Sequence, residues 1–189
     1  FVTRFPNGGG TPLASTYFGT SDYDQAYFVQ LDDDDLIYIY GQTDRDMPIV
    51  GDVYNQSVNA GQFVTCFDPQ LQNIEGSPRV GAGGGNNGIE ISPTAFLVSD
   101  CGQIFMSGWG GSTNTVFDSS TNGMPVTSDA FQGFTDGSDF WLGMLNPGGE
   151  DLIYGTFFGG GTSAEHVDGG TSRFDKNGTV YQAVCAGCG

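Results

Sequence analysis

The feature that most constrains the fold of this chain is an internal repeat of short strand and turn patterns. Phe5–Gly19 and Leu145–Gly159 align without a gap, and both end in an aromatic-Phe-Gly step. A second pair, Met47–Tyr54 and Met124–Phe131, shares a Met-Pro step and an aspartate. Self-similarity of this kind indicates one supersecondary unit that recurs along the chain.

The most regular part of the repeat is a hairpin in which a polar turn leads into an alternating strand. It occurs at Leu31–Gly41, Val98–Gly108 and Phe174–Val184. In each copy an aromatic residue follows the apolar start at the same spacing, and these aromatics are Tyr38, Phe105 and Tyr181. Alternation predicts two faces for the first copy, one formed by Leu36, Tyr38 and Tyr40 and the other by Ile37 and Ile39.

Four short strands joined by turns make up one unit of about 70 residues. The chain holds about two and a half units, approximately at residues 1–67, 68–145 and 146–189. We therefore predict an all-β fold made of β-propeller blades in an incomplete ring. A β-sandwich is the main alternative, and a solenoid is the third.

Two irregularities refine this prediction. The glycine-rich Arg79–Gly88 stands where a strand and its glycine loop should be, so we interpret it as a loop that links two blades. Phe1 falls inside one repeat, and the chain stops one strand into another. We therefore expect a partial propeller that belongs to a longer chain or is completed by another chain.

The chain is strongly acidic, with 22 Asp and Glu against 5 Lys and Arg and a formal net charge of -17. A field of this sign repels phosphate backbones and anionic lipids, so we expect no nucleic acid partner. No apolar run reaches the roughly 20 residues that membrane insertion needs. Four cysteines among few lysines suggest an extracellular location, where disulfides persist.

A resemblance to a known family rests on Pro93–Gly111, Gly123–Pro147 and Thr156–Gly189, together with the cycle from Ser15 to Pro69. These segments resemble bacterial β-propeller repeats of the SBBP type in large secreted proteins of Bacteroidetes. Such proteins end in a gliding-motility-associated sorting domain. The resemblance implies export by the type IX secretion system and a place on or outside the cell surface. It implies no enzymatic activity, and the sorting domain and PKD-like modules of that family do not occur in this sequence.

The acidic run Asp32–Asp35 is the first candidate metal site, because Ca²⁺ is bound by several carboxylate and carbonyl oxygens. The weak Ca²⁺ candidates are Asp22, Asp24, Asp32 and Asp34. The run lacks the ligand spacing of an EF-hand loop, and its copies at Ser99–Gly102 and Asp175–Gly178 are typical of hairpin turns. We therefore predict a solvated turn and no firm metal site, and Ca²⁺ is the one cofactor to test.

Glu165, His166 and Asp168 form the only cluster that contains a histidine. They could bind a metal or act as acid and base, but one histidine does not make a usual zinc site without further ligands. We interpret the cluster as hydrogen bonding within a loop. Trp109 and Trp141 could stack on sugars, although aromatic residues in such repeats more often form the core.

The cysteines allow three full pairings, which the sequence does not distinguish. Cys66 aligns with Met144 inside a strand and suits a buried free thiol. We predict a disulfide between Cys101 and either Cys185 or Cys188. The Cys-x-x-Cys spacing of the last two lacks both the βαβ context of a redox motif and the two further ligands of a zinc site.

No catalytic motif is present, so we expect no catalytic residues. The sequence favours a non-enzymatic extracellular or cell-surface scaffold or adhesin-like module exported by the type IX system. Its expected partners are other segments of its own longer chain, another surface protein, or glycans. The alternative is a carbohydrate-binding or hydrolytic propeller that uses acidic loops, with Asp22, Glu165 and Asp168 as the residues to test.

Overall fold

The structure of this chain is a computed structural model that describes residues 1–44, 46–83, 88–112, 114, 119–167, 172–175 and 177–186. The described residues form strands, turns and loops, with no helix among them. All strand pairings are antiparallel. The predicted all-β class is therefore confirmed. Within the described ranges, none of the sheets closes on itself.

The strand boundaries follow the turn residues read from the sequence. In chain order the strands are β1 (Val2–Arg4), β2 (Ala14–Thr16), β3 (Asp24–Leu31), β4 (Ile37–Thr43), β5 (Gln62–Phe67), β6 (Ile74–Gly76), β7 (Arg79–Val80), β8 (Ser92–Val98), β9 (Ile104–Trp109), β10 (Phe140–Leu145), β11 (Leu152–Phe158), β12 (Glu165–His166), β13 (Ser172–Phe174), β14 (Val180–Gln182) and β15 (Cys185–Ala186).

Two meanders dominate the structure. Sheet I has the order β3-β4-β5-β6, with β7 also paired to β5, and sheet II has the order β8-β9-β10-β11. Two smaller pairs flank them in the chain, hairpin N (β1-β2) and hairpin C (β13-β14), and β12 pairs with β15. In both sheets successive strands are neighbours, so each is an up-and-down unit made from one stretch of chain.

The strands recur where the sequence repeat predicts them. β4, β9 and β14 begin at Ile37, Ile104 and Val180, in each case just before the repeated aromatic. The gap-free alignment of Phe5–Gly19 with Leu145–Gly159 extends to the preceding residues and superimposes hairpin N on β10 and β11. Hairpin N therefore matches the last two strands of sheet II, and hairpin C matches its first two strands.

The hydrogen bonds also correct one detail of the repeat. Arg79–Gly88 does not simply replace a strand, because Arg79 and Val80 form β7 and pair with Phe63 and Gln62 of β5. β6 and β7 together cover the position that β11 covers in sheet II, but Pro78 lies between them. Proline has no N–H for the ladder, which explains why this last strand is split in two.

The acidic run forms the hairpin turn predicted for it. The N–H of Asp35 donates to the carbonyl of Asp32 at 3.2 Å, and the equivalent bond from Gly102 to Ser99 is 2.8 Å long. The fourth turn residue has positive φ in both copies, 61° at Asp35 and 75° at Gly102. The same backbone turn is thus built on an aspartate in one sheet and a glycine in the next.

Strand β4 is buried on both faces, and the two faces belong to different cores. Tyr38 and Tyr40 pack in a cluster shared with sheet II, whereas Ile37 and Ile39 pack in a cluster that contacts hairpin N. Leu36 contacts the first cluster from its edge. The predicted two faces of this strand are therefore confirmed, and sheet I lies between sheet II and hairpin N.

The three repeated aromatics show that the stacking continues in one direction. Tyr38 faces sheet II, and Phe105 of sheet II contacts Phe174 of hairpin C with ring centroids 5.6 Å apart. Tyr181 of hairpin C is exposed. Trp141 belongs to the core, where its indole N–H donates to the carbonyl of Pro125 at 2.8 Å. The order of packed units therefore follows the order of the repeats in the sequence.

Candidate functional site

The first strands of sheet I, sheet II and hairpin C meet along one line. β8 lies between β3 and β13 and contacts both. A cleft of about 660 Å³ opens at this junction. Its lining includes Tyr27, Gln30, Thr94, Trp109 and Arg173. Because three repeats contribute to this one cleft, it is the candidate binding site of the fold.

A β-bulge shapes each wall of the cleft. The pairing of β3 with β4 skips Tyr27, and the pairing of β8 with β9 skips Thr94. The alignment that places Tyr38 on Phe105 also places Tyr27 on Thr94, so the two are copies of one position in the repeat. A bulge leaves its extra residue unpaired and turns its side chain, which is a common way to shape a binding surface. Both side chains line the cleft.

The chemistry of the cleft is aromatic and polar. Trp109 is half-buried, and its ring meets the ring of His166 edge-on at 5.1 Å. Burial raises the pKa of Tyr27, and Tyr23 adds to this shift, so the phenol stays protonated at neutral pH. Arg173 donates from Nη1 to the carbonyl of its neighbour Ser172 at 2.7 Å. An indole face beside hydrogen-bond donors suits a polar ligand with a flat apolar side, such as a sugar ring.

The described lining of the cleft contains no aspartate or glutamate. Hydrolysis of a glycoside needs two carboxyl groups that flank the scissile bond. Of the acidic residues proposed for hydrolysis, Asp22 and Glu165 are not part of this lining, and Asp168 lies outside the described residues. The described lining therefore supplies groups that can bind a ligand, and it includes no pair of carboxyl groups for hydrolysis.

Glu165 belongs to a repeated structural element that we call the acidic clasp. It consists of a carboxylate close to the start of a strand that accepts a hydrogen bond from a loop residue, and its three examples are Asp24 at the start of β3, Glu90 before β8 and Glu165 at the start of β12. The donors are the Thr20 hydroxyl at 2.9 Å for Asp24, the Gly61 N–H at 3.0 Å for Glu90 and the Gly160 N–H at 2.9 Å for Glu165. This agrees with the interpretation of Glu165 as a loop hydrogen-bonding residue.

The rest of the histidine cluster does not form one site in the described residues. His166 packs against Trp109, and its neighbour Glu165 is buried. Asp168 lies outside the described residues. Of the two candidates that the structure describes, His166 reaches the edge of the cleft through its contact with Trp109.

The four weak Ca²⁺ candidates lie at two ends of one strand. Asp22 and Asp24 are at the start of β3, and Asp32 and Asp34 follow its end. A strand of eight residues is about 25 Å long, so the two pairs cannot hold one ion. The Oδ1 of Asp32 already accepts the N–H groups of Asp34 at 3.0 Å and Leu36 at 2.9 Å. No group of three or more His, Cys, Asp or Glu suited to a metal occurs in the described part of the chain.

The disulfide predicted for Cys101 is not formed in the structure. Cys101 is an exposed free thiol in the second hairpin turn, so it forms no disulfide with Cys185 or Cys188 in this structure. Cys185 lies in β15, which pairs with β12. Cys188 lies outside the described residues. Cys66 is a buried free thiol, as predicted, and burial raises its pKa to about 11.

Sequence reasoning missed two buried charges near sheet I, Glu90 and Arg79. The Arg79 guanidinium donates to the carbonyls of Met47 at 2.8 Å and Ala60 at 3.1 Å. Burial lowers its pKa, while the carboxylates of Asp46 and Glu90 oppose that change. Glu90 could have been found, because the repeat alignment places it next to the counterpart of Asp24. Nothing in the local sequence marks Arg79 as buried.

Comparisons with protein-family models and with curated proteins find no match to this chain. The described residues also include no helix that is long and apolar enough to span a membrane.

Proposed function

We propose that this chain is part of a β-propeller that serves as a non-enzymatic scaffold or adhesin-like module on the outside of the cell. The observation that carries the proposal is the burial of β4 and β5, the two central strands of sheet I, on both faces in two separate cores. In a two-sheet sandwich each sheet has one solvated face. Sheets stacked in series between neighbours on both sides are typical of propeller blades.

The position of the first strands gives further support. In a propeller the blades are arranged radially, and one edge strand of each blade lies at the central axis. Here β8 contacts both β3 and β13, so the first strands follow one another in sequence order. The last strand of sheet II, β11, forms the opposite edge of its sheet from β8. On this proposal β3, β8 and β13 are the inner strands, and the cleft between them is part of the central channel.

The non-enzymatic part of the proposal rests on how the acidic side chains are used. Asp24, Glu90 and Glu165 accept hydrogen bonds from loop residues, and Asp32 caps its own turn. These carboxylates serve the fold. The formal net charge of -17 keeps such a module solvated at an external surface.

The location is proposed on the family resemblance alone. Export by the type IX secretion system places the chain on or beyond the outer membrane, where it contacts other segments of its own longer chain or another surface protein. An antibody raised against the purified chain tests this on intact and permeabilised source cells. We expect labelling of intact cells that is lost after protease shaving. Labelling of permeabilised cells alone would contradict the proposed location.

A second candidate function, carbohydrate binding without hydrolysis, is favoured by the aromatic cleft. Trp109 and Tyr27 present the kind of surface on which a sugar ring packs, beside the guanidinium of Arg173. A glycan array with the native chain and Trp109→Ala tests this candidate, and Tyr181→Ala is the matched control because Tyr181 is exposed outside the cleft lining. Binding that survives Trp109→Ala, or no binding at all, would argue against the cleft as a sugar site.

A further inference from the structure

Two buried carboxylates converge on one glycine at the edge of sheet II. Asp139, which precedes β10, and Glu165 are 0% and 1% exposed. A Cβ placed on Gly159 would lie 1.9 Å from Oδ1 of Asp139 and 2.6 Å from Oε2 of Glu165. The two oxygens are therefore no further apart than the sum of these distances. They point to the same small space, which is open only because residue 159 is glycine.

Three carboxylate oxygens in this space have no hydrogen-bond partner. They are Oδ1 and Oδ2 of Asp139 and Oε2 of Glu165. The other oxygen of Glu165 is fully engaged, since it accepts from the Gly160 N–H at 2.9 Å and from the Ser163 hydroxyl at 2.6 Å. Burying a carboxylate without a partner is costly, and burying two side by side is more so. The arrangement therefore requires a positively charged or proton-donating occupant.

The repeat supplies an internal comparison. In sheet I the position of Asp139 is taken by Gly61, which also directly precedes its strand. There the Gly61 N–H donates to Oε2 of Glu90, the oxygen that corresponds to the unpartnered Oε2 of Glu165. Sheet II has thus added a second acid where sheet I has a backbone donor.

The compensating charge also differs between the two sheets. In sheet I the buried guanidinium of Arg79 interacts with the carboxylate of Glu90. The alignment that matches Gly61 with Asp139 matches Arg79 with Phe157, which carries no charge. The charged groups that act on Asp139 are Asp136 and Glu165, both acids, and burial is the main cause of its raised pKa. At these aligned positions, all of them described, sheet I has one buried acid beside Arg79, whereas sheet II has two buried acids and a phenylalanine in place of the arginine.

We propose that Asp139 and Glu165 bind one divalent cation, Ca²⁺, through both carboxylate oxygens of Asp139 and Oε2 of Glu165. A single shared proton can serve only two of the three unpartnered oxygens, whereas a cation contacts all three. A donor set made only of oxygen atoms suits a hard cation, and Ca²⁺ accepts bidentate carboxylates and water in flexible geometry.

Two neutral side chains complete the surroundings of this site. Gln132 and Thr135 lie close enough to Asp139 to lower its pKa, although neither meets hydrogen-bond geometry with its carboxylate. Their oxygen atoms are of the kind that Ca²⁺ accepts as further ligands. Within the described residues, the surroundings of Asp139 are therefore compatible with a cation, since the charged groups that act on it are both acids.

This site joins β10, β11 and β12 and is separate from the acidic turn. The cation links Asp139, which directly precedes β10, to Glu165 at the start of β12. Binding therefore fixes the glycine-rich loop between β11 and β12. The site therefore differs from the Ca²⁺ candidates Asp22, Asp24, Asp32 and Asp34 that the sequence suggested. It also carries no catalytic role in the cleft.

Terbium luminescence tests the proposal on the full chain. Tb³⁺ replaces Ca²⁺ at oxygen sites and is excited by nearby tryptophan. Both tryptophans of the chain lie close to the proposed site. Trp141 is two residues after Asp139, and Trp109 pairs with Phe140, the residue after Asp139. We expect one class of sensitised Tb³⁺ that Ca²⁺ displaces. A chain that gives no sensitised signal, or a signal that Ca²⁺ leaves unchanged, would overturn the proposal.

Two variants make the test specific. Asp139→Gly restores the residue that sheet I has at this position and should abolish the signal, whereas Asp34→Asn, in the exposed turn, should leave it unchanged. Where Asp139→Gly fails to fold by circular dichroism, Asp139→Asn preserves the side-chain shape and should weaken Ca²⁺ binding at least tenfold.

Thermal unfolding gives an independent readout. Ca²⁺ at 100 times its dissociation constant should stabilise the native chain by about 2.7 kcal/mol, the value that linkage converts from that ratio, and EDTA should reverse this. At the same Ca²⁺ concentration, Asp139→Asn should be stabilised by no more than about 1.4 kcal/mol, because its binding is at least tenfold weaker. An equal response of both chains would show that Ca²⁺ acts elsewhere, and the site would be rejected. This outcome is independent of whether the module is an adhesin.

Discussion

At the scale of single residues, the repeat shows which side chains a turn requires and which it tolerates. The fourth residue has positive φ in two kinds of hairpin turn. One kind contains Asp35 at 61°, Gly102 at 75° and Gly178 at 79°, and the other, which follows β5 and β10, contains Leu71 at 58° and its counterpart Gly149 at 77°. This region of backbone space is favourable for glycine and costs energy for most other residues. Asp35 and Leu71 are therefore strained variants of a glycine position.

Asp35→Gly should stabilise the protein. The change relieves the left-handed backbone and removes one of four adjacent negative charges, and we expect a gain of about 0.5–1 kcal/mol. Urea denaturation followed by tryptophan fluorescence measures it. The reciprocal control, Gly102→Ala, should destabilise by a similar amount. A neutral or destabilising Asp35→Gly would show that Asp35 makes a favourable contact that offsets its backbone strain.

Asp68 makes the stability of the next turn depend on pH. Its carboxylate accepts the N–H groups of Gln72 at 2.8 Å, Asn73 at 3.0 Å and Gln70 at 3.1 Å, and the Gln72 bond is the main cause of its lowered pKa. A folded-state pKa below the unfolded value stabilises the fold above about pH 4, and this contribution is lost as the pH falls below it.

Asp68→Asn should therefore flatten the stability profile of the protein in acid. The equivalent residue in sheet II is Asn146, whose Oδ1 accepts the N–H of Asp151 at 2.9 Å, so an amide is tolerated at this position. Urea midpoints measured between pH 5 and pH 2.5 should fall less steeply for the variant than for the native chain. Parallel profiles would place the acid sensitivity in other carboxylates.

At the scale of strands and sheets, the alternation of β4 was enough to predict both of its faces. Ile39 and Tyr40 are neighbours in sequence, yet they pack in different cores. The sequence could also predict the four-strand unit and its recurrence, because these depend on local turns and alternation. The alternation predicts the packing of β4 because its alternate side chains point to opposite faces and both faces are buried.

Other features of the fold depend on contacts that no local pattern encodes. Pro78 splits the last strand of sheet I into two short strands, β6 and β7, which both pair with β5. The interpretation of Arg79–Gly88 as a loop missed the pairing of Arg79 and Val80. Asp139 and Glu165 are separated in sequence by two strands, β10 and β11, and their loops, and they meet at Gly159. Such sites follow from loop packing between strands, which spacing in the sequence does not reveal.

Ile39→Ala and Val29→Ala test the two-faced burial of sheet I. The two residues face each other across the β3-β4 register, but Ile39 is 3% exposed and Val29 is 61% exposed. Ile39→Ala should cost about 2–5 kcal/mol through lost burial and a cavity, and Val29→Ala should cost less than about 0.5 kcal/mol. Denaturant midpoints at constant slope provide the comparison. Similar costs for both variants would contradict the burial of β4 between two cores.

At the scale of the whole molecule, two opposing features decide whether copies associate. Phe131 is 77% exposed and packs its ring 6.1 Å from that of Phe158, beside the edge strand β11. These two residues form an exposed aromatic patch next to a cavity of about 320 Å³. Edge strands and apolar patches favour association. The formal net charge of -17 opposes it through repulsion between copies.

Salt should therefore shift the balance towards association. At 0.1 M ionic strength charges are screened beyond about 10 Å, and at 1 M beyond about 3 Å, while the apolar attraction remains. Sedimentation velocity at fixed protein concentration should show monomer at low salt and a growing larger species as NaCl rises. Phe131→Lys should suppress that species, because it adds a charge that must be desolvated on contact. Val58→Ser, at an exposed apolar position away from the patch, is the control and should leave it unchanged. A larger species that persists in Phe131→Lys would mean that the open edges of hairpins N and C, and not the aromatic patch, hold the copies together.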